Sequence, residues 1–176
     1  MKKTIYTYGI ISGLIVSVLM SVAMLMKDKI SYDNSMIIGY TNMILAFSLI
    51  FFAIQSYKKA HGSISFGRCF KIGMGITLIS CAFYVTAWAI IYHNFMPNYM
   101  EEYSKYMKEQ MQKSGKPATE IKAAIEEMQY YGELYKNPIF FILFTLVEIF
   151  PVGLIVTLIA ALVEKFRTKT QTPKAV

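Results

Sequence analysis

The sequence predicts an all-α integral membrane protein with four transmembrane helices, organised as one membrane domain over residues 1–176. Hydrophobic residues make up 55% of the chain and charged residues 16%, whereas about a quarter of the residues in a soluble domain are charged. The apolar residues are concentrated in four stretches, residues 5–26, 36–54, 70–92 and 139–163, and basic residues flank them. Each stretch has roughly twenty residues, so as a helix it spans a hydrocarbon core of about 30 Å.

The first span carries small residues at every fourth position. These residues are Gly9, Gly13, Ser17 and Ser21. Small residues at this spacing let helix backbones approach, and van der Waals contact then drives helix association in lipid. Two interpretations are open: packing against other spans of the same chain, or homodimerisation through Gly9 and Gly13.

The other three spans show related patterns. In the second span the small residues recur every seven positions, at Gly39, Ala46 and Ala53. In the third and fourth spans they recur every four positions, at Gly73, Thr77 and Cys81 and at Gly153, Thr157 and Ala161. Both spacings are typical of helices that pack closely against a neighbour, so we expect a tight bundle.

The polar segment 94–137, between the third and fourth spans, predicts a helical hairpin. Gly115 and Pro117 divide it, because glycine commonly ends a helix and proline commonly opens one. Apolar residues follow helical spacing in both halves, at Tyr99, Met100, Tyr103, Met107 and Met111 and at Ile121, Ala124, Ile125, Met128, Tyr131 and Tyr135. These two seams either pack on each other or at the membrane interface, or they bind a protein partner or a ligand.

Two glutamate–lysine pairs in the first half of this hairpin have the i,i+4 spacing of helix-stabilising ion pairs. They are Glu101–Lys105 and Glu109–Lys113, with the glutamate first in each pair. We expect both pairs to support the first helix.

The distribution of basic residues predicts the orientation of the chain. Lysine and arginine are concentrated at the N-terminus, in the 55–69 connection and in the tail, residues 164–176. In the first connection two lysines stand beside two aspartates, and the 94–137 segment has nearly equal numbers of lysines and glutamates. Because short basic connections stay in the cytoplasm, we expect both termini in the cytoplasm and the hairpin outside it.

Glu148 is the one charged residue within the fourth span. A charge at the centre of a membrane helix costs roughly 2.5–3.5 kcal/mol on insertion scales. Pro151, three residues later, lacks the N–H that would bond the carbonyl four residues before it, which leaves a carbonyl oxygen unpaired next to the acid. Tyr84 and Asn42 lie at a similar depth, so we expect a polar cluster of Glu148, Tyr84, Asn42 and Pro151 among the helices. This cluster is either a static latch or an ion or proton site.

Arg68 and Lys71 flank aromatic residues where the third span begins. Basic and aromatic residues together at this depth fit anionic lipid headgroups, and they equally fit an ordinary orientation signal. In either interpretation they face the lipid bilayer as interface residues.

Several function classes are excluded by the same pattern. The net charge of +7 does not indicate nucleic-acid binding, because the basic residues flank the spans instead of forming one surface. No catalytic arrangement and no metal-ligand spacing occurs, and we expect no enzyme, cofactor or metal. The first span is long for a cleavable signal peptide, so we expect it to remain in the protein.

Several motifs recur in a recognisable order: Lys-Lys, YGxxxG, MIIGY, ISFGRCFKIG, MEEYSKYMKEQM, YKNPIFF and EIFPVGLIVTLIAAL. In this order and spacing the chain resembles the domain-of-unknown-function 4199 family, four-span proteins found mainly in Bacteroidota. Cys69 departs from the small residue expected there. The resemblance implies a bacterial inner-membrane location and an extracytoplasmic helical insertion, and it implies no activity.

Taken together, these features predict an inner-membrane protein without enzymatic activity. They predict a structural or interaction module that presents the hairpin to a partner outside. The alternative is a small transporter, or an ion- or proton-coupled component, that uses Glu148.

Overall fold

The computed structural model describes residues 1–26, 32–96 and 98–170, and all regular structure within them is helical. The helices are α1 (Lys2–Leu25), α2 (Tyr32–Phe47), α3 (Leu49–His61), α4 (Phe66–Phe95), α5 (Tyr99–Lys113), α6 (Ala118–Tyr135) and α7 (Pro138–Thr170). The predicted first connection falls partly on residues 27–31, and the tail partly on residues 171–176, which lie outside the described ranges. The chain divides into two compact units, one of residues 1–88 with the chain from 146 onwards, and one of residues 89–145.

Four helices are long and apolar enough to cross a membrane, as the sequence predicts. They are α1, α2 together with α3, α4, and α7. Each continues beyond its apolar stretch, because helical backbone hydrogen bonds do not stop where the side chains become polar. The predicted 55–69 connection is therefore wrong in extent: α3 runs to His61 and α4 begins at Phe66. The predicted tail likewise begins as helix, since α7 runs to Thr170.

The second span is interrupted at Ser48, between α2 and α3. The Ser48 hydroxyl donates to the carbonyl of Leu45 at 2.6 Å, and the N–H of Phe51 bonds the Ser48 carbonyl at 3.1 Å. A serine hydroxyl that bonds back to its own helix competes with the regular backbone ladder and commonly bends the helix. The second span is therefore two helical segments that meet at one serine.

This second span forms the centre of the first unit. Six of its apolar residues are no more than 2% exposed: Met43, Ala46, Phe47, Ile50, Ala53 and Ile54. Phe47 and Ile50 contact glycines of α7 and α4, respectively. The Ser12 hydroxyl of α1 donates to the Ala46 carbonyl at 2.9 Å. The second span thus contacts each of the other three.

Helices α1 and α4 pack side by side with a constant offset along the chain. Gly75 faces Ile5, and Gly9 and Gly13 face Ile79 and Phe83, respectively. Because the partner number rises with the residue number, the two helices run in the same direction, as expected for the first and third of four alternating spans.

Helices α4 and α7 run in opposite directions and are also in close contact. Gly73 faces Thr157, and Gly153 faces Thr77. The two threonine hydroxyls lie 3.3 Å apart, and both residues are fully buried. Alternating glycine and threonine across the pair lets the two backbones approach and pairs the threonine hydroxyls in the same place.

The second unit contains the hairpin of α5 and α6. Gly115 has φ +69°, the left-handed conformation that glycine adopts without strain. The N–H of Lys116 bonds the Met111 carbonyl, and the N–H of Gly115 bonds the Gln112 carbonyl, both at 3.1 Å. These two bonds form a Schellman motif, which ends α5, and Pro117 then opens α6. The turn is therefore the one predicted from Gly115 and Pro117.

Candidate functional site

Glu148 and Tyr84 meet across the α4–α7 contact. The Tyr84 hydroxyl donates to Oε1 of Glu148 at 3.3 Å. Tyr84 is buried, whereas Glu148 lies at the exposed surface of its unit. The acid is thus at the side of the bundle and not enclosed among the helices, and its contact with the interior is through the tyrosine.

The other two predicted members of this cluster occupy different places. Asn42 is half-buried on α2, and no hydrogen bond joins it to Glu148 or Tyr84 among the described residues. Pro151 lies inside the continuous helix α7, on the same exposed face as Glu148. The described geometry therefore brings together Tyr84 and Glu148, with Pro151 one turn away and Asn42 outside the hydrogen-bonded pair.

The predicted small-residue positions pack mostly within the chain. Gly9, Gly13, Gly73 and Gly153 all face side chains of neighbouring helices, and a Cβ at Gly9 or Gly13 would lie about 3 Å or less from Ile79 or Phe83. These contacts favour the intramolecular interpretation, because a homodimer through Gly9 and Gly13 would have to displace both side chains. Gly39 differs, since nothing lies within 4 Å of a Cβ placed there.

The four-residue spacing on α1 identifies two of its serines, Ser17 and Ser21, but not every hydroxyl that bonds to a neighbouring helix. Ser21 donates to the carbonyl of Ser17 at 2.7 Å, while the buried hydroxyl of Ser17 finds no hydrogen-bond partner among the described residues. Ser12, one residue before Gly13, makes the bond to the second span and was not predicted. Ser80 on α4, also not predicted, donates to the Gly9 carbonyl at 3.4 Å. Small hydroxyl residues in apolar spans were the available signal for both.

An ion pair between Lys58 and Glu164 is the main feature that the sequence analysis missed. It joins α3 to α7, and the side chains are 27% and 5% exposed, respectively. The sequence predicts an orientation signal at Lys58 and the start of the tail at Glu164, and no local spacing links positions 106 residues apart.

Arg68 and Lys71 are both exposed in the first turns of α4. The Phe66 and Phe70 rings stack beside them, with centroids 6.2 Å apart. Exposed cations next to an aromatic pair at the end of a membrane helix are compatible with both predicted roles, lipid headgroup contact and orientation.

The hairpin contains an open cleft of about 840 Å³ between α5 and α6. Neither helix buries a residue fully, and the predicted seam residues lie half-buried, apart from the exposed Tyr131. Met100, Ile125 and Met128 form apolar parts of the cleft wall. A smaller cavity of about 450 Å³ adjoins it and shares Lys108 and Ile125. The hairpin therefore keeps an accessible apolar surface that its own two helices do not fill.

Charged residues of the cleft differ in whether they are paired. Lys136 donates to Oε1 of Glu133 at 2.7 Å, and this hydrogen bond raises the pKa of Lys136. Lys105 and Lys108 have no carboxylate partner among the described residues.

The predicted Glu101–Lys105 and Glu109–Lys113 pairs do not form. Instead, the hairpin pairs Lys116–Glu120, Lys122–Glu126 and Lys136–Glu133.

An aromatic cluster lies next to the cleft, where the third and fourth spans adjoin the hairpin. The Tyr92 ring lies 5.4 Å from Tyr135 and 5.5 Å from Phe141, measured between centroids, and the Tyr135 and Phe141 rings are 5.0 Å apart. Tyr92 also lines the cleft. Tyrosine at the ends of membrane helices is typical of the membrane–water interface, so the cleft begins at that level.

The described residues contain no group of three or more His, Cys, Asp or Glu side chains arranged to hold a metal ion. Cys69 and Cys81 are both free and buried. The polar features available for function are therefore the Glu148–Tyr84 contact, the Lys58–Glu164 pair and the hairpin cleft.

A family model described as "Protein of unknown function (DUF4199)" matches residues 7–165 of the chain. No curated protein and no solved structure matches it. The match covers most of the chain, so this multi-pass membrane protein belongs to the DUF4199 family, and the resemblance drawn from its motifs is confirmed.

Proposed function

We propose that this member of the DUF4199 family is a non-enzymatic binding module of the bacterial inner membrane. Its four spans anchor the hairpin, and the hairpin binds a partner outside the cytoplasm, with both termini inside. The observation that supports this proposal is the open cleft between α5 and α6, two helices that bury no residue fully. A hairpin that served only as a connection would gain stability by closing this apolar surface.

The contrast with the spans strengthens the proposal. In the first unit, Gly9, Gly13, Gly73 and Gly153 accept neighbouring side chains, and the ion pair is partly buried. In the hairpin, the corresponding surfaces stay open, as expected where a partner supplies the missing contacts. The volume of the cleft lies within the range of about 300–1,000 Å³ that is typical of ligand sites.

The orientation is tested first, with single cysteines introduced at Ser114 in the hairpin turn and at Ser63 between α3 and α4. Both positions are exposed, and the native cysteines are buried, so background labelling will be low. In intact spheroplasts a membrane-impermeant maleimide should label Ser114→Cys at once and Ser63→Cys only after permeabilisation. The reverse pattern would refute an outer hairpin.

The binding role is tested by filling the cleft. Gly132 lines it, and a Cβ there would meet Met100 at 3.9 Å, so Gly132→Leu places a larger side chain in the open space. Both the native protein and this variant are purified in mild detergent, and the lipids, proteins and ions that accompany them are identified. A companion present with the native chain should be depleted in Gly132→Leu. Identical companions for both would argue against a cleft-dependent role.

A second candidate function, ion or proton coupling, is favoured by the Tyr84–Glu148 contact. A carboxyl on a membrane helix, one turn before a proline, is an uncommon feature, and here the Tyr84 hydroxyl already donates to it. Glu148→Gln keeps a hydrogen-bonding group and removes the titratable one. Unchanged folding with altered ion flux, or with an altered flux response to pH, would support coupling. Unchanged ion flux would instead support the interpretation of Glu148 and Tyr84 as a static latch between helices.

A further inference from the structure

The chemistry of the cleft between α5 and α6 restricts what it can bind. Its walls combine a thioether and aliphatic surface, from Met100, Ile125 and Met128, with two lysines that have no carboxylate partner among the described residues, Lys105 and Lys108. Methionine side chains adapt to flexible apolar chains of varied shape. An occupant with an apolar body and a negatively charged end would satisfy both parts of the site.

The two lysines are placed on one helix so that both can serve a single anionic group. They are three residues apart on α5, and residues at this spacing lie on the same face of a helix. Lys136, the other cation that lines the cleft, is already bonded to Glu133. Two glutamates also line the cleft, Glu133 in its pair with Lys136 and Glu101 outside any ion pair among the described residues. Three lysines against two glutamates leave the cleft with a net charge of one positive, which Lys105 and Lys108 carry beyond the Lys136–Glu133 pair.

The position of the cleft favours an occupant that comes from the membrane. Tyr92 and Lys136 line it; Tyr92 lies in the last turn of the third span, and Lys136 lies two residues before the fourth span begins. Tyr92 also belongs to the aromatic cluster with Tyr135 and Phe141. A molecule in the adjoining leaflet would reach the cleft without crossing bulk water, whereas a soluble peptide would have no such route.

We propose that the cleft between α5 and α6 binds a single-chain anionic amphiphile, with the acyl chain against Met100, Ile125 and Met128 and the carboxylate or phosphate at Lys105 and Lys108. This inference rests on the proposed binding function of the hairpin and names the chemical class of its partner. The volume fits one folded acyl chain better than a whole two-chain lipid, since the cleft is of the size of an ordinary small-molecule site.

The test uses the full-length protein in nanodiscs of phosphatidylcholine and a photoactivatable C16 fatty acid, with the photoactivatable C16 alcohol as its uncharged match. Adducts are mapped by mass spectrometry. The fatty acid should label the cleft residues of α5 and α6, and the alcohol should label the same residues about tenfold less. Each tenfold change corresponds to about 1.4 kcal/mol.

The decisive variants are Lys105→Gln with Lys108→Gln, and the matched control is Lys113→Gln. Lys113 is an exposed lysine of the same helix that lines neither cavity. In the double variant, labelling of the cleft by the fatty acid should fall about tenfold, and in Lys113→Gln it should be unchanged. Gly132→Leu should lose labelling with all lysines intact, and circular dichroism of each variant checks that the helices remain.

Equal labelling by acid and alcohol, labelling confined to the spans, or labelling unaffected by the double variant would each overturn the proposal. Its failure is distinguishable from failure of the binding function itself. If a protein companion depends on the open cleft while the fatty acid does not label it, the binding function stands and the amphiphile is refuted. If the fatty acid labels the cleft but Ser114→Cys faces the cytoplasm, the outer-face role is refuted.

Discussion

Glycines and ion pairs occur both in the spans and in the hairpin, but they differ between the two regions in how closely they are packed. In the spans, five glycines lie under the side chains of neighbouring helices, and the buried Glu164 pairs with the partly buried Lys58. These glycines are Gly9, Gly13, Gly73, Gly75 and Gly153. In the hairpin, a Cβ at Gly132 would meet only Met100, at an ordinary contact distance of 3.9 Å, and the ion pairs are exposed. The spans have satisfied their packing within the chain, whereas the hairpin has not. The hairpin is therefore the region in which the proposed partner would make contacts.

The largest expected difference between the two regions concerns their ion pairs. Glu164→Ala leaves the Lys58 side chain, which is 27% exposed, without its acid. Removing one partner of a buried pair costs about 3–5 kcal/mol, and the partial exposure of Lys58 predicts a loss at the lower end, about 3 kcal/mol. Chemical unfolding in detergent measures this loss. Glu126→Ala, in the exposed pair with Lys122, is the matched control and should leave the free energy of unfolding nearly unchanged. Equal effects of the two variants would remove the contrast.

The second prediction compares glycines. Gly13→Ala places a Cβ 2.8 Å from the Phe83 ring, so overpacking should lower the free energy of unfolding by about 1–3 kcal/mol. Gly132→Ala in the hairpin meets Met100 at an ordinary contact distance, and Gly39→Ala meets nothing. Both should be neutral or stabilise by up to about 1 kcal/mol, because alanine is the better helix former. A stable Gly13→Ala would show that α1 and α4 are not in close contact.

The third prediction concerns the turn of the hairpin. Gly115→Ala forces a side chain into the left-handed conformation at a cost of about 1 kcal/mol. Amide hydrogen exchange in the last turn of α5 should become about fivefold faster, the factor that this free energy represents. Gly67→Ala, in open space on a helix with ordinary φ, controls for the substitution itself. Unchanged exchange in α5 would mean that the Schellman motif does not hold the turn.

The smallest expected effect lies at the membrane acid. Tyr84→Phe removes the hydroxyl that donates to Glu148, and interhelical hydrogen bonds in membranes contribute about 0.6 kcal/mol on average. The free energy of unfolding should fall by about this amount relative to Tyr57→Phe, a second buried tyrosine. A loss well above about 1.7 kcal/mol, the largest value of that kind, would mean that Tyr84 supports more than one hydrogen bond.

The four spans and the hairpin turn were predictable because each depends on local sequence. Hydropathy marks a membrane helix within about twenty residues, and Gly115 with Pro117 marks a turn within three. The four-residue ladders also proved informative, since Gly73, Thr77, Gly153 and Thr157 all face the α4–α7 contact. Spacing along one helix is sufficient to identify the face that packs.

The remaining features depend on how helices rotate and pair, which spacing along one chain segment does not determine. The seven-residue repeat on the second span includes two fully buried alanines and also Gly39, which faces open space. Glu148 was expected among the helices and lies at the surface of its unit. Lys58 and Glu164 form a pair only because α3 and α7 bring together residues far apart in the sequence. The hairpin cleft likewise could not be predicted from local spacing, because it forms between two helices.

The constant offset between α1 and α4 has a consequence for biogenesis. Ile79 and Phe83, which cover Gly9 and Gly13, are translated about seventy residues after those glycines. At roughly 5–20 residues per second, the ribosome needs roughly 4–14 seconds to supply them. During that interval the nascent first helix resides in the translocon or the surrounding lipid with its glycine groove uncovered, where an insertase or another newly made helix can bind first.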